Sequence, residues 1–426
     1  MRLPRASRRP VEKTPPTSRT KHDWGPGDRG QLIVISFSHA VQHFYPAALA
    51  VSYPFIVESL HISYGTLGIV LGIAGVLGGF LQGAAGLFEK VSARLLLSAQ
   101  NFALAASIAL AGVAPGFPLF GAARCVGAIA SWPQHPVGNS LLVRRFPGRR
   151  AFALSSHTAG GSIGTAVIPL IATALIAAFG WRWELVLIAT PMAVGGFLVM
   201  TRLRDVSAHE NGHRCGANDS AAPALRLRDV VTRRQVFGAL AAGTVAAAGR
   251  GLGALNTYAP AYLRTGLHLS TITVGVIFTV IVIGSIGGPL VAGLVADRIG
   301  RARVLASVYL AGAVAMVLFV LVGGSLLGLL VVGVLLGVFA YSESPLLQAV
   351  FSEGTEGAPV QAAFGLYFAI SYGVGALWLP LLGYIIDRAG FRVAFFTMAA
   401  SFVASALIVL ATMPAPKMET EASEGR

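Results

Sequence analysis

The chain alternates long apolar segments with short polar ones, and this pattern predicts a membrane protein. A helix needs about 20 mostly apolar residues to cross the hydrocarbon core of a bilayer. Segments of this kind lie at roughly 31–54, 64–87, 95–114, 118–142, 151–179, 182–201, 236–262, 270–295, 303–323, 325–348, 360–386 and 391–413. We therefore predict an all-α membrane protein with twelve transmembrane helices.

The polar segments divide the twelve helices into two sets of six. Residues 31–201 form the first predicted bundle and residues 236–413 the second, and a polar linker, 202–235, lies between them. Residues 1–30 are rich in Arg, Pro and Thr, which is typical of a disordered tail. Residues 414–426 form a short C-terminal tail. We expect no cleavable signal peptide, because the apolar segment that follows the N-terminal tail is long enough to span the membrane.

The distribution of basic residues predicts the orientation of the helices. Of the 32 Lys and Arg residues, 26 fall in the tails, the linker and the loops on one side, and the other side holds only Arg182, Arg264, Arg388 and Arg392. Lys and Arg accumulate in cytoplasmic loops. Both termini and the linker are therefore predicted to be cytoplasmic, with the protein in the inner membrane. The net charge of +14 follows from this topology, and we do not attribute it to nucleic-acid binding.

The two halves of the sequence resemble each other at a shift of about 210 residues. Residues 179–182 match 389–392, Pro169 matches Pro380, and residues 132–136 match 341–345. These matches fall in equivalent helices, so they indicate a duplicated six-helix unit. Parallel repeats of this kind place the substrate between the halves, near the middle of the membrane.

A short turn between the eighth and ninth apolar segments carries a recognisable motif. Within residues 288–305 it contains Gly293, Asp297, Arg298, Gly300 and Arg301. This turn resembles the signature loop of the major facilitator superfamily of secondary transporters. The resemblance implies two six-helix bundles around a central cavity, alternating access, and a gating role for these five residues. The copy expected in the first half, residues 87–94, lacks a clear aspartate and the glycine.

The first half is more closely similar to one subgroup. The sequence from Ser38 to Gly72 resembles the opening of fosmidomycin-resistance transporters, and residues 135–138 resemble the His-Pro-x-Gly of that group. This similarity implies proton-driven efflux of phosphonate drugs or other small organic compounds. One feature departs from drug antiporters, which usually carry a Gly-Pro pair in the fifth helix, because Ile168 precedes Pro169 here. Import is therefore kept as an alternative.

Three charged residues lie well inside predicted helices: Arg124, Arg250 and Glu343. Ionisable groups in hydrocarbon are costly unless they are paired or face a wet cavity. Their net charge of one positive unit favours an anionic substrate. Arg124 and Arg250 could instead make structural pairs with carbonyl groups. Glu343 has three interpretations, as a proton site, a partner of Arg250 or a gate residue.

Histidines form a second candidate constellation. His39 and His43 are four residues apart and share one helix face, and His135 and His157 are predicted at a similar depth. Histidine titrates near neutral pH and can carry a coupling proton or bind an anion. Each could also simply bond a neighbouring helix. We expect no metal, because no cysteine or acid lies at this depth, and no cofactor. Three further polar residues complete the candidate cavity: Gln42, Gln134 and Asn256.

The motifs exclude several classes of function. The chain has no zinc-protease HExxH, no GxSxG nucleophile and no phosphate-binding loop for a nucleotide, so neither an enzyme nor a pump driven directly by ATP is expected. We predict a secondary active transporter that couples protons to the export of a small anionic compound or drug, and the resemblance implies that it works as a monomer. The alternatives are an importer of organic acids and a non-transporting receptor built on the same fold.

Overall fold

A computed structural model describes residues 26–84, 88, 91–146, 149–205, 231–357 and 360–413. These residues are almost entirely helical, and no strand occurs among them. Nine helices within the described ranges are long and apolar enough to cross a membrane. Two of the nine are bent sharply at a glycine, and each of these contains two spans. A further span consists of two helices that are too short to count singly, and it brings the total to twelve. The predicted all-α fold with twelve membrane helices in two bundles is confirmed.

We number the spans α1 to α12 in chain order. In the first half they are α1 Pro26–Ser59, α2 Tyr64–Gly83, α3 Ala93–Val113, α4 Phe117–Ala130 with Gln134–Arg145, α5 150–179 and α6 181–202. In the second half they are α7 Arg234–Gly266, α8 Thr271–Ile299, α9 Arg301–Leu321, α10 Leu326–Gly354, α11 360–389 and α12 391–412.

The helix bounds follow the hydrophobic pattern to within six residues, and the largest differences are at both ends of α1 and at the end of α10. The first helix begins at Pro26, five residues inside the tail that was predicted to be disordered. Residues 1–25, most of the linker (206–230) and residues 414–426 lie outside the described residues. Pro at the first position of a helix costs no hydrogen bond, because the missing N–H would have had no partner in the helix.

Two glycines turn consecutive spans back on each other without a loop. Gly180 has φ 79° and ψ 163°, and Gly390 has φ 81° and ψ 170°. This region of backbone conformation is essentially restricted to glycine. The two residues occupy the same place in the 210-residue repeat, at the α5–α6 and α11–α12 junctions. The duplicated sequence pattern therefore corresponds to a duplicated backbone conformation.

Three helices are interrupted within the membrane. Residues 131–133 separate the two pieces of α4, Leu252 and Gly253 leave helical geometry in α7, and α11 contains a π-helical turn at Phe368–Gly373. Interrupted backbone at membrane depth is tolerated only where protein or a wet cavity surrounds it. The breaks in α4 and α7 lie within three residues of four candidate site residues, which are Gln134, His135, Arg250 and Asn256.

The two halves meet along α2 and α11, where small residues let the backbones approach. A methyl group added at Gly68 would lie 2.5 Å from the carbonyl oxygen of Leu379, and one at Gly79 would lie 2.6 Å from the nitrogen of Gly373. Lipid offers as apolar a surrounding as leucine, so membrane helices associate through close packing of this kind. Large side chains such as Leu327, 73% exposed, cover the outer surface.

Candidate functional site

The helix ends define two faces of the molecule. We call the end where α1 begins, and where Arg144, Arg145 and Arg234 lie, the basic end. The other end, which carries Gly180 and Gly390, is called the opposite end. The site residues are distributed between them in three groups, two in the first half and one in the second.

The first group is a histidine cluster toward the basic end. Helix α1 supplies His39 and His43, the second piece of α4 supplies His135, and α5 supplies His157. The His39 ring stacks on the His157 ring with centroids 4.1 Å apart, and it meets the His135 ring edge-on at 5.0 Å. The structure therefore brings together all four histidines proposed for the cavity. His39 and His157 are buried, and His43 and His135 are half-buried.

Specific hydrogen bonds hold the two histidines of α1. The His39 Nδ1 lies 2.7 Å from the carbonyl oxygen of His157, and its Nε2 lies 3.1 Å from the Nε2 of His43. The His43 Nδ1 lies 2.8 Å from the hydroxyl of Thr165 on α5. Thr165 is absent from the predicted site, because nothing in its sequence context distinguishes it from a helix-stabilising threonine.

A metal ion would find a partial set of ligands in this cluster. One ring nitrogen each from His39, His43 and His135 lie within 4.8 Å of one another. No carboxylate or thiolate joins this group within the described residues. The ring nitrogens of the α1 pair are already engaged with each other and with α5. We therefore interpret the cluster as a site that binds protons and not as a metal site.

A buried amide network lies beside the histidines. Gln134 accepts hydrogen bonds through its Oε1 from Ser38 at 3.2 Å and from Gln100 at 2.8 Å, and Asn101 donates to Ser38 at 2.7 Å. This network ties α1, α3 and α4 together, which is a structural role for the predicted site residue Gln134. Gln42, also in the predicted set, is half-buried on α1 and its Oε1 has no partner among the described residues.

The second group surrounds Arg124 in the first piece of α4. Its guanidinium donates to the hydroxyl of Tyr45 and lies 4.8 Å from the centre of that ring. The direction of the chain of hydrogen bonds is fixed, because Ser107 donates to the carbonyl of Ala123 at 2.7 Å and so must accept from Tyr45 at 3.0 Å. Tyr53 lies near enough to interact with it electrostatically. Among the described residues the guanidinium thus meets only neutral tyrosine side chains, and its Nε has no partner there.

The third group is a buried ion pair in the second half. The Arg250 Nε donates to the Oε1 of Glu343 at 2.6 Å, and both side chains are almost fully buried. The hydroxyl of Tyr309 donates to the other oxygen of Glu343 at 3.1 Å. Of the alternatives for Glu343, the structure favours the partner of Arg250. Arg250 is therefore neutralised within the protein, unlike the free cation that attracts substrate in the sequence hypothesis.

Arg250 also connects two interrupted helices. Its Nη1 donates to the carbonyl of Ser371 in the π-helical turn of α11 at 2.9 Å, and its Nη2 donates to the carbonyl of Gly243 in α7 at 2.8 Å. The broken geometry leaves such carbonyls in need of donors. Nearby, Asn256 accepts a hydrogen bond from Tyr341 on α10. The predicted site residues of this half are thus held by contacts within it.

One buried acid was missed by the sequence reasoning. Glu184, near the start of α6, is fully buried, and its Oε2 accepts a hydrogen bond from Ser52 at 2.7 Å. Its other oxygen has no partner among the described residues. The residue follows Arg182 at the predicted helix boundary, so the sequence alone placed it at the membrane surface.

The signature loop lies at the basic end and makes its polar contacts within the second half. Asp297 is exposed and lies 3.5 Å from Arg301, which in turn bonds Glu353 at the end of α10. An added methyl group at Gly293 would meet nothing within 4 Å. The gating role of this loop stays a prediction.

The opposite end carries a link between the halves that was not predicted. Asp387 of α11 accepts hydrogen bonds from the backbone N–H groups of Tyr64 at 2.9 Å and Gly65 at 2.7 Å, the first residues of α2. The hydroxyls of Tyr64 and Thr265 of α7 lie 2.9 Å apart. We call Asp387, Tyr64, Gly65 and Thr265 the latch. A sequence signal for it exists, because residues 383–390 repeat the G-x-x-x-D-R-x-G spacing of residues 293–300.

Comparison with known proteins places this arrangement in a family. The family model described as Major Facilitator Superfamily matches residues 35–325 and 245–426. A "Probable L-galactonate transporter" of Escherichia coli (strain K12) is 22% identical over 284 residues, which is 62% of this chain and 61% of that protein. The match thus spans about three fifths of the length of that relative.

Solved structures of transporters share the fold. A bacterial homolog of the human lysosomal transporter Spinster, in an inward-facing and unoccupied conformation, covers 92% of this chain and 96% of its own, with a TM-score of 0.69 at 15% identity. The nucleoside transporter NupG covers 90% and 98%, with a TM-score of 0.70 at 15% identity. A D-xylose-proton symporter covers 91% and 98%, with a TM-score of 0.68 at 15% identity. At these identities the likeness shows the fold alone.

Proposed function

The chain belongs to the Major Facilitator Superfamily and is a secondary transporter, and from this premise we propose that it exports a small organic anion in exchange for protons. The basic end would face the cytoplasm, in accordance with the distribution of Lys and Arg. The protein would work as a monomer in the inner membrane. The latch joins the halves at the opposite end, so this conformation corresponds to a transporter closed toward the outside.

The observation that carries the proposal is the difference between Arg250, which is buried, and Arg124, which is half-buried inside α4. Arg250 has a carboxylate partner 2.6 Å away, whereas Arg124 meets only tyrosine side chains and no carboxylate within the part of the chain that the structure describes. A buried charge without a counter-ion is unfavourable. A guanidinium also binds carboxylate or phosphonate groups with two parallel hydrogen bonds. An anionic substrate would therefore supply the partner that Arg124 lacks.

Two further points support an anion. The relative from Escherichia coli is named for galactonate, a sugar acid that carries a carboxylate. The similarity of residues 38–72 and 135–138 to fosmidomycin-resistance transporters points to a phosphonate. Carboxylates and phosphonates both present a compact anionic group that a guanidinium such as that of Arg124 can bind.

Uptake of an organic acid is the second candidate. It is favoured by the galactonate relative and by the absence of a complete Gly-Pro pair at Ile168-Pro169 in α5. The same binding residues would serve both directions, because the direction of net flux follows the gradients of substrate and proton.

Transport by purified protein in proteoliposomes tests the proposal. We would impose a pH gradient of either sign and measure the flux of fosmidomycin, galactonate and a cationic dye. We expect Arg124→Gln to reduce anion flux at least tenfold, since a charged hydrogen-bond pair contributes about 1.5–3 kcal/mol. Arg124→Lys should recover part of the flux, and the exposed Arg392→Gln is the matched control.

Each outcome decides a different point. Anion flux that is driven by the pH gradient and lost in Arg124→Gln supports the proposal, and the sign of the effective gradient separates export from uptake. Flux of the dye alone, or anion flux unchanged in Arg124→Gln, overturns it. Growth of an efflux-deficient host on graded fosmidomycin provides the same comparison in cells.

A further inference from the structure

The two histidines of α1 pack and hydrogen-bond against α5, and His39 does so where α5 carries a glycine. A methyl group added at Gly161 would lie 2.7 Å from the Cε1 of His39, so this ring needs glycine beneath it. The two Nε2 atoms, 3.1 Å apart, point at each other, and each Nδ1 faces a different group on α5. The pair is therefore joined to α5 at both of its ends.

Each end of this chain of hydrogen bonds has a fixed donor. The carbonyl of His157 can only accept, so the Nδ1 of His39 must carry a hydrogen. The hydroxyl of Thr165 lies 2.9 Å from the carbonyl of Gly161, which can also only accept, so in that bond Thr165 is the donor. Thr165 has a single hydrogen, and once that is used its oxygen must accept from the Nδ1 of His43.

The centre of the chain then lacks one hydrogen. With both Nδ1 atoms protonated, each neutral imidazole presents a bare Nε2, and two lone pairs would face each other across 3.1 Å. A hydrogen bond at that position needs one additional proton. All four hydrogen bonds are satisfied together only when the two rings carry one positive charge between them.

We propose that the His39–His43 pair binds a single proton between its Nε2 atoms and that Thr165 is the switch that responds to it. When the pair loses one proton, His43 keeps a hydrogen on Nε2, which still donates to His39, and it is the Nδ1 of His43 that is left bare; this Nδ1 then accepts from Thr165. The hydroxyl of Thr165 must therefore turn away from Gly161. This proposal rests on the proposed function, in which that proton is the one coupled to transport.

The surroundings make the pair a self-contained site. The titratable groups that face it are His135 from α4 and His157 from α5. No carboxylate bonds the pair among the described residues. His43 is half-buried and His39 is buried, so a proton reaches the pair through His43. Protonation changes a bond between α1 and α5, two helices of the first half.

Nitrogen-15 NMR of histidine-labelled protein in lipid nanodiscs tests the proposal without any substrate. We expect a doubly protonated imidazole at neutral pH whose signals disappear in both His39→Gln and His43→Gln. His61→Gln and His268→Gln, on turns at the opposite end, are the matched controls and should leave it unchanged. Signals that show only neutral rings in the pair down to pH 5 would overturn the proposal.

Substitution of the switch gives a second readout. Thr165→Val removes the acceptor of the cationic pair and the donor to the neutral pair; since the hydrogen bond to the charged form is the stronger one, the pH midpoint of these signals should fall by about one unit. Thr165→Ser should retain the wild-type midpoint. An unchanged midpoint in Thr165→Val overturns the role of the switch. Stoichiometric zinc binding that His39→Gln abolishes would identify a metal site instead and overturn the proton site.

The two proposals fail separately. If the NMR results are as expected but no anion is transported, the substrate assignment is wrong and the proton site stands. If anion flux follows the pH gradient while the pair stays neutral, the transporter assignment stands and the proton is bound elsewhere.

Discussion

The latch at the opposite end gives the sharpest prediction, because one side chain of the second half caps a helix of the first. Asp387 satisfies the N–H groups of Tyr64 and Gly65, and the side chain of Ser63, in the first half, satisfies that of Thr66. Asp387→Asn keeps the shape of the side chain. It removes one acceptor oxygen and the negative charge that interacts favourably with the N-terminus of α2.

The expected magnitude follows from those two losses. Loss of a helix cap costs about 0.5–2 kcal/mol. Asp387 is exposed, so we take about 1 kcal/mol as the loss of stability of the closed state, which corresponds to roughly a fivefold shift in the ratio of open to closed molecules. The change should be confined to the opposite end, because only there does this carboxylate contact α2.

Spin labels can measure this shift directly. Gly116 and Gly324 lie on turns at the opposite end, one in each half; an added methyl group would meet nothing within 4 Å at Gly324 and only the ring of Pro118, at 3.8 Å, at Gly116. We would label cysteines at both positions in a background without Cys125 and Cys215, and compare the distance distributions by electron-spin resonance. Asp297→Asn is the matched control, since it changes the equivalent aspartate of the same motif at the basic end. Equal distributions in wild type and Asp387→Asn, with protein of normal thermal stability, would refute the reasoning.

Three further predictions concern the stability of the fold. Glu343→Gln leaves the buried charge of Arg250 without a partner and should destabilise the protein by about 3–5 kcal/mol; thermal unfolding in detergent checks this, and an unchanged midpoint would contradict the pairing. The double variant Arg250→Met with Glu343→Leu should recover much of that loss, and a result as poor as the single variant would mean that the carbonyl contacts dominate. Gly390→Ala should cost about 1–3 kcal/mol because of its positive φ, whereas Gly293→Ala, in a helix with open space, should be tolerated; equal effects in the two would refute the conformational argument.

The hydrophobic pattern was sufficient to predict the twelve spans, because the bilayer imposes length and apolarity on each of them separately. The reversals at Gly180 and Gly390 were marked by their place in the repeat. The interruptions of α4, α7 and α11 were not predicted. The π-helical turn of α11 receives a donor from another helix, because Arg250 of α7 bonds the carbonyl of Ser371, and the same side chain bonds Gly243 within the interrupted α7; such contacts leave no local pattern.

The sequence predicted the histidines from their shared helix face and similar depth, and it predicted the charged site residues from their cost in a membrane. This cost identified Arg124, Arg250 and Glu343, but the pairing of the last two depends on how α7 and α10 approach, which the sequence left open. Asp387 and Glu184 were missed because both lie near predicted helix ends, where charge is unremarkable. Thr165 acquires its role solely from the ring of His43 opposite it, so its residue type carried no signal.

The reversal at Gly180 also constrains the number of residues between positions on α5 and α6 that pack on the same helix. Gly160 of α5 packs on Ser36 and Gly195 of α6 packs on Val41, so both helices present a small residue to the same part of α1. No loop separates these helices to absorb an extra residue. A single insertion in a helix rotates everything beyond it by about 100°, which would turn one of these glycines away from α1. Natural variation in chain length is therefore expected in the other turns, and the spacing between Gly160 and Gly195 is expected to be constant.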